Sequence, residues 1–226
     1  MSIYHKQLAQ AYPADTNANS IYSPVAGYDT IIRNIIVCNP TGIQRAYRIF
    51  HDAGGNTYDT TTALYYDQKI NANTTYAINS FITMNNSVSN LALTANLANS
   101  LCVTVSGSEI KSTDQILHNQ LGQVAPSVAM LYSLYSPAAN KSAVIKTIAV
   151  CNYSAGPTTF RIFLDNDGTT YNDSTCLYND IPIAKKTTEL IDIHQCMDNS
   201  SGNLAVYVPD INTLTFTAYG IEITNG

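Results

Sequence analysis

Leu101-Cys102-Val103-Thr104-Val105-Ser106 sets Leu101, Val103 and Val105 against Cys102, Thr104 and Ser106, and 113 positions later Leu214-Thr215-Phe216-Thr217-Ala218-Tyr219 repeats the pattern. A period of two belongs to a β-strand, whose successive side chains point to opposite faces. Its recurrence at a fixed distance points to an internal repeat. With the same offset, residues 8–110 fall on residues 121–223 without a gap. Tyr22-Ser23-Pro24 meets Tyr135-Ser136-Pro137, and Val37-Cys38-Asn39 meets Val150-Cys151-Asn152. Arg48-Ile49-Phe50 meets Arg161-Ile162-Phe163, and Gly107 and Glu109 meet Gly220 and Glu222. The chain therefore reads as two homologous domains, 1–110 and 121–226, with 111–120 as a polar linker whose Ile116-Leu117 pair can dock on one of them.

Within each copy, strand signals dominate. The runs 30–39 and 143–152 are nearly continuously apolar and rich in Ile and Val, as in a central strand covered on both faces. Each is followed by an expected partner strand, 44–51 and 158–165. Turns with hairpin chemistry come next, Ala53-Gly54-Gly55-Asn56 and Asn166-Asp167-Gly168-Thr169, where Gly supplies positive φ. Further strands are expected at 61–67, 73–82 and 90–95, and at 174–180, 186–194 and 203–208. No window sustains a helical period. About seven short strands per copy predict an all-β chain of two tandem antiparallel β-sandwiches, jelly-roll or immunoglobulin-like, with a barrel as the second choice.

Composition narrows the partners. Charged residues make up 12% of the chain, about half the usual share, while hydrophobic residues at 45% suffice for a core. A net charge of −5 with 11 Lys plus Arg gives no electrostatic footprint for nucleic acid. No stretch reaches the roughly 18 apolar residues of a membrane helix. The start, Met1-Ser2-Ile3-Tyr4-His5-Lys6-Gln7, has no apolar signal core, and export by a signal peptide is not expected. The five cysteines, Cys38, Cys102, Cys151, Cys176 and Cys196, form no CxxC pair and read as buried thiols. A Cys176–Cys196 bridge and a zinc site are the alternatives.

Patterns that carry chemistry are sparse. Of the histidines, His51 falls on Leu164 and His194 falls on Phe81, so neither role is shared between copies. Asp192 and His194 alternate onto one strand face, where they could bind a metal or act as an acid–base pair, but a partly exposed strand edge is the better account. Asp165-Asn166-Asp167-Gly168 opens like a calcium loop, but Cys176 stands where the closing glutamate belongs, and a turn explains it better. The 16 tyrosines include three shared pairs, Tyr22/Tyr135, Tyr58/Tyr171 and Tyr65/Tyr178, read as core and corner residues rather than ligand contacts. Sequons at Asn73, Asn152 and Asn172 follow from an Asn- and Thr-rich composition. No residue is assigned a catalytic, cofactor-binding or metal-binding role, no cofactor is expected, and the chain reads as a non-enzyme.

One ordered set of residues points further. Leu8-Ala9-Gln10 with Pro13, Ile21-Tyr22-Ser23-Pro24, Ile35-Ile36-Val37-Cys38-Asn39, Phe50, Tyr65-Tyr66-Asp67, Ile70 and Gly107-Ser108-Glu109 resembles a family of short virion structural proteins of tailed bacteriophages, cyanophages included. The resemblance spans nearly all of both copies, although many members are single-unit chains. It implies a head decoration or cement protein, or a neck or tail component, made in the host cytoplasm and carried in the virion. The implied partners are further copies of the chain and other virion proteins. A trimer of such duplicated chains would present six similar units to a six-fold site. The competing expectation is a tail-associated adhesin whose tyrosine-bearing loops bind a host receptor or glycan. A hydrolase using Asp192 and His194 is the third.

Overall fold

A computed structural model describes residues 3–55, 57–85, 87–112 and 116–225 of the chain. All of its regular structure among these residues is β. The chain divides into two compact units, Met1–Ser112 and Thr113–Gly226.

The first unit carries β1 (Ile3–Ala11), β2 (Asn19–Tyr22), β3 (Tyr28–Asn39), β4 (Arg45–Asp52), β5 (Ala63–Ile70), β6 (Thr74–Met84), β7 (Asn90–Ala95) and β8 (Cys102–Lys111). They form two four-stranded sheets in the orders β1-β8-β3-β6 and β2-β7-β4-β5, with every pairing antiparallel. The second unit carries β9 (Ile116–Val124), β10 (Tyr132–Tyr135), β11 (Lys141–Asn152), β12 (Thr158–Asp165), β13 (Cys176–Ile183), β14 (Thr188–Met197), β15 (Asn203–Tyr207) and β16 (Leu214–Thr224). Its sheets run β14-β11-β16-β9 and β10-β15-β12-β13, the same orders strand for strand. In both units strands adjacent in sequence mostly lie in different sheets, the winding of Greek keys.

The duplication extends to backbone conformation. Every described residue with positive φ has its counterpart 113 positions away: Gly27 and Asn140, Gly55 and Gly168, Asp67 and Asp180, Asn73 and Lys186, Asn99 and Asn212. Left-handed conformations are costly away from glycine, so their retention in non-glycine residues marks positions the winding dictates. Gly107 and Gly220 are a second such device. A Cβ on either would overlap a carbonyl oxygen of the facing strand, that of Ile31 or Val144, beside the bulges at Ile32/Asn34 and Ile145/Thr147.

The core of the second unit draws on both of its sheets. Ile145, Ile148 and Val150 of β11 and Phe216 of β16 cluster with Phe160 of β12 and Leu204 of β15. Phe160 meets Phe216 edge to face with ring centroids 5.9 Å apart. Burying each such side chain is worth about 1.5–3 kcal/mol. In the first unit Ile32, Ile35, Ile49 and Leu64 are equally inaccessible. The alternation at 101–106 appears as read, with Leu101, Val103 and Val105 buried and Cys102, Thr104 and Ser106 half-buried. In the second copy Thr215 and Thr217 are fully buried as well, so both faces of β16 are covered there.

Three sequence expectations are corrected. The expected linker 111–120 is largely strand: Lys111 ends β8, residues 113–115 lie outside the described residues, and Ile116–Gln120 belong to β9, which pairs with β16. The repeat therefore begins earlier than residue 8, since Ile3, His5 and Gln7 fall on Ile116, His118 and Gln120. Second, 44–51 and 158–165 are not sheet neighbours of the strands before them. β4 pairs with β5 and β7, and β12 with β13 and β15. Third, the glycine turns are not tight hairpins. The last pairs of β4 with β5 and of β12 with β13 are Phe50–Ala63 and Phe163–Cys176, and 53–62 and 166–175 are long loops, with Asn56 outside the described residues. Gly55 and Gly168 do supply positive φ, at 97° and 71°.

Candidate functional site

The polar residues shared by both copies hold the scaffold. Asn39 closes β3 with no exposed surface. Its amide donates to the carbonyls of Ile43 (2.9 Å), Ile70 (3.3 Å) and Asn71 (2.9 Å), and its Oδ1 accepts from the backbone and hydroxyl of Thr41. Asn152 does the same at the end of β11. It donates to Gly156 (3.0 Å) and Ile183 (3.3 Å) and accepts from the N–H and Oγ of Ser154. Each asparagine ties its loop to the last turn of the other sheet. The sequon at Asn152 is thus fully engaged and closed to modification in the fold.

A second shared cluster joins the two sheets of each unit. The Tyr22 hydroxyl, on β2, donates to Glu109 Oε1 of β8 at 2.9 Å, while Lys6 of β1 pairs with Oε2 at 2.6 Å. Tyr135 donates to Glu222 at 2.8 Å, and Lys141 and Asn119 complete that carboxylate at 3.3 and 3.1 Å. Burial, reinforced by the neighbouring carboxylate, pushes both phenols well above their ordinary range. They stay protonated donors at any physiological pH, which suits a clasp and not proton transfer.

The third shared group faces solvent. Arg161 of β12 grips Asp180 of β13 through Nε and Nη2, both at 2.7 Å, and this pairing holds the Asp180 carboxyl below its ordinary range. Arg48 pairs with Asp67 through Nε at 2.6 Å and stacks 4.1 Å over Tyr66. Beside Arg161, the second unit forms a shallow groove of about 260 Å³ lined by Leu131, Arg161, Phe163, Tyr171 and Tyr207. Its floor is common to the copies, since Arg48, Phe50 and Tyr58 occupy the matching positions. Its walls are not: Leu131 and Tyr207 stand where the first copy has Ala18 and Thr94. Tyr171 is fixed by donating to the Gly168 carbonyl at 2.9 Å and accepting from Asn203 at 2.7 Å. In the loop that carries Leu131, Val128 and Met130 are about half exposed. No sequence pattern marked Leu131 or Tyr207, because Leu131 comes from the loop before β10 and Tyr207 from the end of β15.

The remaining candidates do not form sites. Asp192 and His194 both lie exposed on the edge strand β14. Asp192 accepts from Thr147 Oγ1 at 3.3 Å and His194 Nδ1 meets Lys146 Nζ at 2.8 Å. Asp165 is occupied by the N–H groups of Thr169 and Thr170, both at 2.7 Å, which hold its carboxyl below the ordinary range, with that of Thr170 the strongest influence. That is the wiring of a loop. Among the described residues no three His, Cys, Asp or Glu side chains gather to hold a metal ion. All five cysteines are free thiols; only Cys151 is buried, Cys196 is exposed and the others are half-buried, against the reading of five buried thiols. Cys176 and Cys196 lie in different sheets. No helix among the described residues is long and apolar enough to cross a membrane.

The arrangement defines an all-β protein of four small antiparallel sheets. No protein-family model matches the chain, and no curated protein does. Solved structures give distant likenesses. The major capsid protein P2 of bacteriophage PM2 is 11% identical, with a TM-score of 0.40, over 100% of this chain and 98% of that one. A broad bean stain virus chain is 9% identical, with a TM-score of 0.39, over 97% and 89%. The tandem CBM22-1-CBM22-2 domain of Xyn10C from Paenibacillus barcinonensis is 10% identical, with a TM-score of 0.28, over 98% and 91%. Likenesses this distant transfer no activity, and the functional reading rests on the residues themselves.

Proposed function

We propose that the chain is a non-enzymatic structural protein of a tailed-bacteriophage virion, built as a tandem duplication of a jelly-roll sandwich and acting through assembly contacts. Its place is the head surface, as a decoration or cement subunit, or the neck or tail. One observation carries the reading: the polar residues that both copies share form the Asn39/Asn152 loop anchors, the Tyr22–Glu109 and Tyr135–Glu222 clasps and the Arg–Asp pairs. What the duplication has kept is the means of holding a rigid shape. The ordered motif set that resembles phage virion proteins includes Tyr22, Asn39, Asp67 and Glu109 from among these residues, which supports the assignment. Its partners are copies of itself, as a trimer, and other virion proteins. Light scattering of the purified protein and cryo-electron microscopy of the particle test this. A stable trimer or larger ring, or density on a head or tail lattice, is expected. A monomer absent from every particle would overturn it.

The groove of the second unit favours one further reading, a tail-associated adhesin that binds a host glycan. Aromatic walls beside a fixed Arg–Asp pair offer an apolar face and directed polar groups at once, the composition of small-molecule sites. On a glycan array, binding that disappears in Tyr207→Ala and Tyr171→Ala would establish this reading. An array blank for the intact protein would dismiss it.

A further inference from the structure

Cys38 and Cys102 are exact cross-strand partners in register. Cys38, the penultimate residue of β3, lies directly opposite Cys102, the first residue of β8, in the antiparallel pairing of these strands. Directly opposed residues of an antiparallel pair point to the same face, with Cα atoms about 4.5–5.5 Å apart. That range lies within the roughly 4.4–6.8 Å that a disulfide spans. Opposed Cβ atoms sit at about 4.5–5.5 Å, and a disulfide needs about 3.5–4.5 Å, so an approach of about 1 Å or less closes the gap. Strand ends give such an approach more readily than strand centres, and both residues stand at ends. Both thiols are free and half-buried, within reach of a small oxidant. On the outer side of Cys38 the cross-strand neighbour is Thr75 of β6. The second copy breaks the pair, because Cys151 faces Thr215 at the same register and both are buried.

We propose that Cys38 and Cys102 form an intramolecular cross-strand disulfide when the protein meets an oxidising medium, stapling β3 to β8 in the first unit alone. The oxidant is a low-molecular-weight disulfide such as oxidised glutathione. One cysteine thiolate attacks it, forming a mixed disulfide and releasing one glutathione thiolate. The second cysteine thiolate then attacks the protein-side sulfur and releases the other. Two protein thiols are oxidised to one disulfide, one glutathione disulfide is reduced to two glutathiones, and the two protons pass to solvent or to the released thiolates. A chain folded in a reducing cytoplasm and released by lysis would meet such a change of medium, but the chemistry does not depend on the assembly reading and is tested apart from it.

The full-length protein is incubated in its native state with oxidised glutathione, denatured, alkylated and weighed intact, and its peptides are then mapped. Three of the five cysteines are expected to take label after oxidation and all five after reduction. The cross-linked peptide should join Cys38 to Cys102, and the thermal midpoint of the oxidised protein should rise by about 5 °C or more over the reduced one. Cys102→Ser should form no cross-link, and its Cys38 should be recovered either labelled or as the unresolved glutathione adduct. Five labels after oxidation would overturn the proposal. So would glutathione adducts with no 38–102 cross-link, or a bridge that uses another pair.

Discussion

Replacing Asn152 with aspartate keeps the shape of the side chain and reverses the chemistry of one of its ends. The native amide donates to two carbonyl oxygens, those of Gly156 and Ile183, from a position with no exposed surface. In Asn152→Asp a carboxylate oxygen meets the same two acceptors. The two lost bonds are worth about 1 kcal/mol each, although the Gly156 carbonyl keeps the Ser154 hydroxyl as a donor at 2.8 Å. The uncompensated buried charge brings the total to about 3–5 kcal/mol, a large part of the roughly 5–15 kcal/mol that stabilises a domain. The penalty carries a pH signature. Burial and the facing carbonyls raise the folded-state pKa of the introduced carboxyl above its unfolded value of about 3.9, so the folded state binds the proton more tightly. The loss is therefore complete above the folded pKa and shrinks as pH falls toward the unfolded one. Urea unfolding followed by far-ultraviolet circular dichroism and tyrosine fluorescence, which no tryptophan obscures, measures it at pH 8 and pH 4.5 against the native protein at each pH. A loss under about 1 kcal/mol would refute the view of Asn152 as a buried anchor. An equal loss at both pH values would refute the electrostatic part.

Three further outcomes follow from the same geometry. His51 is fully buried with a ring nitrogen 2.8 Å from Ser89 Oγ, and burial pulls its pKa down to about 4. The fold favours the neutral ring, so its contribution is complete above the unfolded pKa near 6.5 and is lost as pH falls through that value toward 4, by about 3 kcal/mol. His51→Leu, which installs the residue of the second copy, should flatten that acid limb in a pH series of unfolding curves; an unchanged slope would assign the limb elsewhere. Gly107→Ala and Gly220→Ala should each cost about 2 kcal/mol because the added methyl meets a facing carbonyl. Gly156→Ala, which meets open space, should stay within about 0.5 kcal/mol by thermal shift. Tyr22→Phe should cost about 1.5–3 kcal/mol by removing a bond to a carboxylate, and more than Tyr135→Phe, since the Glu109 side chain is 7% exposed and that of Glu222 13%. The reverse order in denaturant midpoints would contradict the clasp as described.

The strand periods and the duplication could be read directly because they are local or strictly periodic. The alternation at Leu101–Ser106 needs only neighbouring residues, and the gapless offset is a property of the string. What escaped reading was partnership. Ile3-Tyr4-His5-Lys6-Gln7 and Ile116-Leu117-His118-Asn119-Gln120 share only every second residue and carry polar side chains, so the edge strands β1 and β9 resembled tail and linker. Strand β4 follows β3 closely yet crosses to the other sheet, a choice no local pattern encodes. The groove around Arg161 shares this opacity, since Leu131 and Tyr207 meet only through the winding. Tyr22 and Glu109 were visible as repeated residues, but their bond spans 87 positions of chain and was not.

Strand β9 follows β8 after a handful of residues, yet β8 takes β1 as its outer neighbour while β9 waits for β16. Ile, His and Gln recur at the same steps of β1 and β9, so either strand offers β8 a similar edge. A ribosome resolves this competition by timing: β1 emerges first and can occupy the edge before β9 exists. A denatured chain returned to native buffer has no such queue. The short route from β8 to β9 closes at lower entropic cost than the long route back to β1. Vectorial synthesis and refolding from urea should therefore differ in yield for this chain, with strand-exchanged species confined to the second.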